Sequence, residues 1–210
     1  MAGLMAVTVG HRKAGGGGCW IATLQAAVDY LARRGGGVVR IKAGTYRMGN
    51  SLFLRSNIHL IGAGDDTILR KCASQVTRLV DDTDWYSDEV TVKDASTFEV
   101  GGACLLRGKS PHFEKPEFVK RTVLAIEGNV LHLDKQARVN FWTDTKAEAA
   151  TLFPVVTGDY VNDIIIESLC IDGNRAENEG LNGNYGGGVF IQDCNRVYIR
   201  DITTRDNNSD

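Results

Sequence analysis

The chain has 210 residues, 43% of them hydrophobic and 24% charged, with 24 Lys and Arg against 26 Asp and Glu for a formal charge of −2. That length can bury a real core and that composition excludes general disorder. The near-neutral balance argues against nucleic acid as a partner, because phosphate binding needs a clustered basic field.

Glycine is frequent at 24 and proline scarce at 3, which predicts many tight reversals without proline stiffness. No apolar run approaches the roughly 18–20 residues of a membrane span, so no membrane partner is expected. The segment Met1–Gly10 carries no legible signal peptide. Five cysteines at 19, 72, 104, 170 and 194 are widely spaced and form no Cys-x-x-Cys pair. They read as buried, reduced thiols.

In chain order, the first predicted element is a helix. Leu24, Ala27, Val28 and Leu31 recur at helical spacing, Thr23 is a candidate N-cap, Arg33 and Arg34 suit the C-terminal dipole, and Gly35–Gly37 ends it. Short apolar strands follow at 38–41, 52–54, 58–61 and 67–69. From about Ala73 to Pro154 the pattern changes. Strands at 89–92, 103–107, 121–126 and 129–134, the last two joined across Glu127-Gly128-Asn129, predict an inserted antiparallel β module.

Beyond Val155 the short strands return as an internal repeat. Asn162–Asn174 aligns with Asn195–Asn207 at an offset of 33, matching apolar or β-branched residues at 164/197, 166/199, 169/202 and 171/204. Ser56–Gly62 fits the same frame through Ile58 and Leu60. The spacing i, i+2, i+5, i+7 predicts two short strands with a one-residue bend, and such a unit must stack on a copy of itself.

The run from Thr23 to Lys71, with its helix, Gly-rich turn and "VVRIKAGTY" strand, resembles the N-terminal end of the pectate-lyase-like right-handed parallel β-helix superfamily. Ala43 stands where that pattern commonly has proline. The openings SNIHLIG, NDIIIESLCIDGN and NRVYIRDITTRDN fit the same resemblance. It implies an all-β solenoid: a right-handed single-stranded parallel β-helix with an N-terminal capping helix and an inserted small antiparallel module. The implied organisation is 1–72 for the cap and first coils, 73–154 for the insertion and 155–210 for further coils. The chain is expected to continue past Asp210, because a solenoid needs both ends capped and no second cap is legible.

The superfamily holds pectate lyases, polygalacturonases, alginate epimerases, phage tailspikes and non-enzymatic adhesins. The resemblance therefore implies a polysaccharide partner and an extracellular or periplasmic place. It leaves open an enzyme cleaving or epimerising an acidic polysaccharide, or a non-catalytic glycan-binding or structural module. The remainder of the same protein, or further copies of the chain, are expected as the other partners.

Candidate chemistry concentrates in residues 159–210, where ten Asp and Glu face four Arg, a net −6. Asp172, Asp206 and Asp210 are candidate catalytic carboxylates, since paired carboxyls can flank a glycosidic bond. Asn208-Ser209-Asp210 resembles the Asn-Thr-Asp of polygalacturonases, although their Gly-His-Gly motif is absent. Arg175, Arg200 and Arg205, with Asn208, are candidate uronate contacts. Asp172, Glu177 and Glu179 are candidate ligands for Ca²⁺, the cofactor that the resemblance implies. The same Asp and Asn residues also suit coil turns, where they satisfy local backbone. Gly62–Thr67 lacks the third glycine and the helix of a dinucleotide fingerprint and reads as a corner. The histidines at 11, 59, 112 and 132 have no ligand spacing, and His59 and His132 read as outward strand positions.

Overall fold

The computed structural model describes residues 5–10, 21–109, 116–178 and 186–208. In chain order come β1 (Ala6–Val9), α1 (Ile21–Ala32), β2 (Gly37–Ile41), β3 (Gly44–Met48), β4 (Leu52–Phe53) and β5 (Ile58–Lys71). Next are β6 (Val76–Arg78), β7 (Glu89–Thr91), β8 (Ala103–Lys109), β9 (Pro116–Glu127), β10 (Val130–Leu133) and β11 (Glu148–Leu152). The last four are β12 (Val156–Asp159), β13 (Asn162–Asp172), β14 (Val189–Gln192) and β15 (Asn195–Arg205). The protein is mostly β, with one α-helix among the described residues. It divides into two compact units, one made of Met1–Ala73 with Pro154–Asp210 and the other of Ser74–Phe153.

In the first unit every sheet is parallel. Strands β1, β2, β5, β13 and β15 hydrogen-bond in that order, β3 pairs with the second half of β5, and β4, β12 and β14 form a separate sheet. The 33-residue repeat is the register of β13 on β15: Asn162 faces Asn195, Ile164 faces Val197, and Asp172 faces Arg205. Inward residues Ile164, Ile166, Leu169 and Ile171 are fully buried, worth about 1.5–3 kcal/mol each. The bend is a single left-handed residue, Ser168 in β13 and Asp201 in β15. Two further left-handed pairs, Tyr160/Asp193 and Asp163/Arg196, repeat at the same offset. In β5, residues 62–67 stand where β13 has Ser168 and Leu169 alone, so the strands expected at 58–61 and 67–69 run as one bulged element.

Helix α1 buries Leu24, Ala27, Val28 and Leu31, the four residues its periodicity singles out, and packs on β1 and β2. Thr23 lies inside the helix rather than capping it, and Arg33 and Arg34 follow its end. Termination comes from the Gly36 N–H, which donates to Leu31 O at 2.9 Å. Gly36 has φ +121°, and a Cβ there would sit 2.4 Å from Asn57 O, so only glycine fits.

The second unit is an antiparallel sheet in the order β6-β11-β8-β9-β10-β7. Its core includes Val90, Cys104, Leu106, Val123, Leu131, Phe141 and Ala149. Strands β9 and β10 form the hairpin expected across Glu127–Asn129, turning at Gly128 with φ +60°. Strand β11 escapes sequence reading because its Glu-Ala-Ala opening is poor in β-formers. Tertiary burial decides its state, with Ala149 and Ala150 at 0% and 1% exposure. Cys104 and Cys170 are buried free thiols as expected, while Cys72 and Cys194 are free but half-exposed. Burial pushes the Cys104 thiol up to about 12.

Candidate functional site

A row of charged side chains crosses four parallel strands of the first unit. Tyr46 and Met48 point inward from β3 and Leu69 and Lys71 from β5, all at most 1% exposed, so alternation turns Arg47 and Arg70 outward. Register then places Arg47 beside Arg70, Arg70 beside Asp172, and Asp172 beside Arg205. Neighbours in such a row are about 4.8 Å apart.

The turn after β13 completes the site. Asn174, left-handed at φ 50°, donates its N–H to Asp172 Oδ1 at 2.9 Å. Its Nδ2 donates to Lys71 O at 3.0 Å and to Glu177 Oε2 at 2.6 Å, while its Oδ1 accepts from Arg70 at 3.0 Å. Asn178 Nδ2 reaches Cys72 O and Asn208 Nδ2 reaches Asn178 O, tying three turns together. Gly173 permits the close approach: a Cβ there would lie 2.4 Å from Asp206 O. Between these turns opens a cleft of about 400 Å³ lined by Arg70, Asp172, Asn174, Arg175, Ala176, Arg205 and Asp206.

Arg205 donates through Nε to Asp172 Oδ2 at 3.2 Å, with a second guanidinium nitrogen at 3.1 Å. That contact raises the Arg205 pKa above the ordinary guanidinium value. Asp172 is therefore 4% exposed and held on both oxygens. The row and cleft together hold four guanidinium groups (Arg47, Arg70, Arg175, Arg205) against two carboxylates (Asp172, Asp206). The excess is positive, although the surrounding sequence is acidic.

Of the residues the sequence singles out, Asp172, Asp206, Arg175 and Arg205 meet at this cleft. Asn208, 1% exposed, braces the turns behind it. Asp172 and Glu177, expected as cation ligands, both bond to Asn174. Among the described residues no three His, Cys, Asp or Glu gather into a metal-holding group. Glu179 and Asp210 lie outside the described residues. Arg200 lies before the Asp201 bend and is not among the cleft-lining residues; it bonds Glu167, which also lies 2.7 Å from His59 Nε2. Arg200, and secondarily His59, hold the Glu167 carboxyl below the usual glutamate range. Arg196 likewise forks onto Asp163 at 2.5 and 2.6 Å.

Sequence reasoning missed Arg47 and Arg70. Their signal was available in the strand pattern: each is the outward residue of a Tyr-Arg-Met or Leu-Arg-Lys triplet. The 33-residue offset does not reach them, because the residues between β5 and β13 include the whole second unit.

No family model and no curated protein matches the chain. Among solved structures it is similar to the tailspike gp61 of Pseudomonas phage phi297, at 14% identity and TM-score 0.38, over 82% of this chain and 30% of that one. It is similar to the gp54 tailspike of Acinetobacter baumannii bacteriophage AP22, solved with A. baumannii capsular saccharide, at 17% identity and TM-score 0.33, over 84% of this chain and 34% of that one. It is also similar to the A-module of Azotobacter vinelandii mannuronan C-5 epimerase AlgE6, at 15% identity and TM-score 0.47, over 91% of this chain and 35% of that one. The chain thus spans about a third of the length of each.

Proposed function

We propose that the first unit is a set of coils from a right-handed parallel β-helix that acts on polysaccharide, and that its cleft binds acidic sugar. The observation that carries this reading is the Arg47–Arg70–Asp172–Arg205 row beside Arg175. Guanidinium groups bind carboxylates bidentately, and a row of them along stacked strands suits a polymer with repeated carboxylates better than a single small anion. Asp172, already neutralised by Arg205, sets that arginine's orientation.

Turnover is the second reading, favoured by Asp206 lining the same cleft. A guanidinium that neutralises a uronate carboxylate makes the adjacent C–H more acidic, and a nearby carboxylate can then accept that proton. Asp206 is the candidate for that role.

The full-length protein is to be titrated with polygalacturonate and with alginate, with and without Ca²⁺, at two salt concentrations. Salt-sensitive binding is expected, weakened at least tenfold by Arg70→Gln. New ultraviolet absorbance from unsaturated uronates identifies a lyase, new reducing ends without it a hydrolase, and binding alone a recognition module. Affinity for the acidic polymers that Arg70→Gln leaves unchanged, or no affinity for them, overturns the cleft.

A further inference from the structure

The second unit carries an exposed feature of different chemistry. Two segments, around residues 82–88 and 137–143, are laced together by backbone bonds. Thr83 and Phe141 exchange N–H···O bonds at 2.8 and 2.9 Å, Trp85 N–H donates to Asn140 Oδ1 at 2.7 Å, and Arg138 N–H donates to Trp85 O at 2.8 Å. The inner side of this strip is anchored in the core by Thr83, Ala137 and Phe141, none above 2% exposed. On the same two segments Trp85, Tyr86 and Trp142 are 45%, 68% and 37% exposed, with the Arg138 guanidinium 5.9 Å from the Tyr86 ring centre. Large aromatic rings left this exposed on a braced strip mark contact sites.

The polar groups between the rings decide the partner. Asp82 accepts both the N–H and the hydroxyl of Thr143, at 2.7 and 2.8 Å, and Asn140 faces the Trp85 backbone. Carboxylate, amide and hydroxyl groups therefore lie on the same two segments as the rings, where a protein-docking patch would carry a continuous apolar centre. Ring faces meet the C–H faces of a sugar, and the neighbouring polar groups meet its hydroxyls. Charge then selects among sugars. Asp81, Asp82, Asp84 and Asp88 crowd one segment and are all exposed, so a polyanion is repelled.

We infer that Trp85, Tyr86 and Trp142 form a platform for an uncharged saccharide, separate in ligand from the cleft of the first unit and independent of its assignment. The test uses the full chain with cellohexaose, maltoheptaose and chitohexaose, followed by tryptophan fluorescence and by retardation in gels containing the matching polymers. At least one saturable, salt-insensitive response is expected. Trp85→Ala and Tyr86→Ala should each weaken it at least tenfold, Tyr86→Ala without changing the melting temperature, and Arg70→Gln should leave it intact. Tyr86, the most exposed of the three, provides the variant least able to disturb folding. No response to any of the three sugars overturns the proposal. So does a response that both alanine variants retain, or concentration-dependent self-association that the same variants abolish.

Discussion

The two units solve the burial problem in opposite ways. The antiparallel unit closes its own core within one stretch of chain, where the β8–β9–β10 meander is flanked by strands from both ends of that stretch. The parallel unit cannot do so, because each strand needs a copy of itself above and below. Its β13 is sandwiched between β5 and β15, and Ile166 is fully buried. Leu60, Ile166 and Ile199 stack in register across those three strands.

The largest test of that contrast is a pair of core truncations. Phe141→Ala is expected to cost about 3–5 kcal/mol and Ile166→Ala about 2–5 kcal/mol, from lost transfer energy and the cavity left behind. Hydrogen exchange should place the first effect in residues 76–152 and the second in β5, β13 and β15. Protection lost equally in both units by either truncation would break the comparison.

A second effect separates the units by pH. Burial pushes the Lys71 ammonium down to about 8 from its ordinary 10.5, inside the parallel unit. Below pH 8 the lysine is charged in both states, and the cost of burying that charge is fully present. Between pH 8 and 10.5 the unfolded chain binds the extra proton, so stability rises with pH. Above 10.5 the cost is gone. The total gain is about 3 kcal/mol at most, at 1.36 kcal/mol per pKa unit. Lys71→Met should be more stable than the parent at pH 7, with the difference shrinking across that window in urea melts. A constant difference would sink the idea.

How much of this was legible in the sequence follows from the same contrast. The 33-residue offset reads straight through to the register of β13 on β15, because in a parallel stack each residue meets its own repeat. The helix face was legible because Leu24, Ala27, Val28 and Leu31 keep helical spacing. The cleft was half legible. Asp172 and Arg205 lie in the repeat, whereas Arg47 and Arg70 reach the row only through strand pairing across the second unit's sequence. The acidic count of residues 159–210 misdirected the reading. Asp163, Glu167 and Asp172 are each met by the arginine 33 residues on, at 196, 200 and 205, so three of the four arginines there cancel carboxylates in the adjacent strand. The aromatic strip gave no periodic signal, since its rings come from irregular segments joined by one isolated bridge, Thr83 to Phe141.

The smallest effect probes those cross-repeat ion pairs. Glu167 bonds Arg200 and His59, and its carboxyl is held below the ordinary 4.5. A carboxyl depressed in the folded state stabilises it above the unfolded value, and the contribution is lost as the pH falls through and below that range. Its partners are solvent-facing, with Arg200 63% exposed, so screening limits the pair to about 1 kcal/mol or less. Glu167→Gln should therefore lower the urea midpoint slightly at pH 7 and at low salt, and the difference should shrink as the pH falls below 4.5 and in high salt. The antiparallel unit's hydrogen-exchange pattern should not move. A difference that persists undiminished as the pH falls well below 4.5 would mean that the side chain acts through packing, and the arginine ladder would then be a consequence of the stack rather than a support for it.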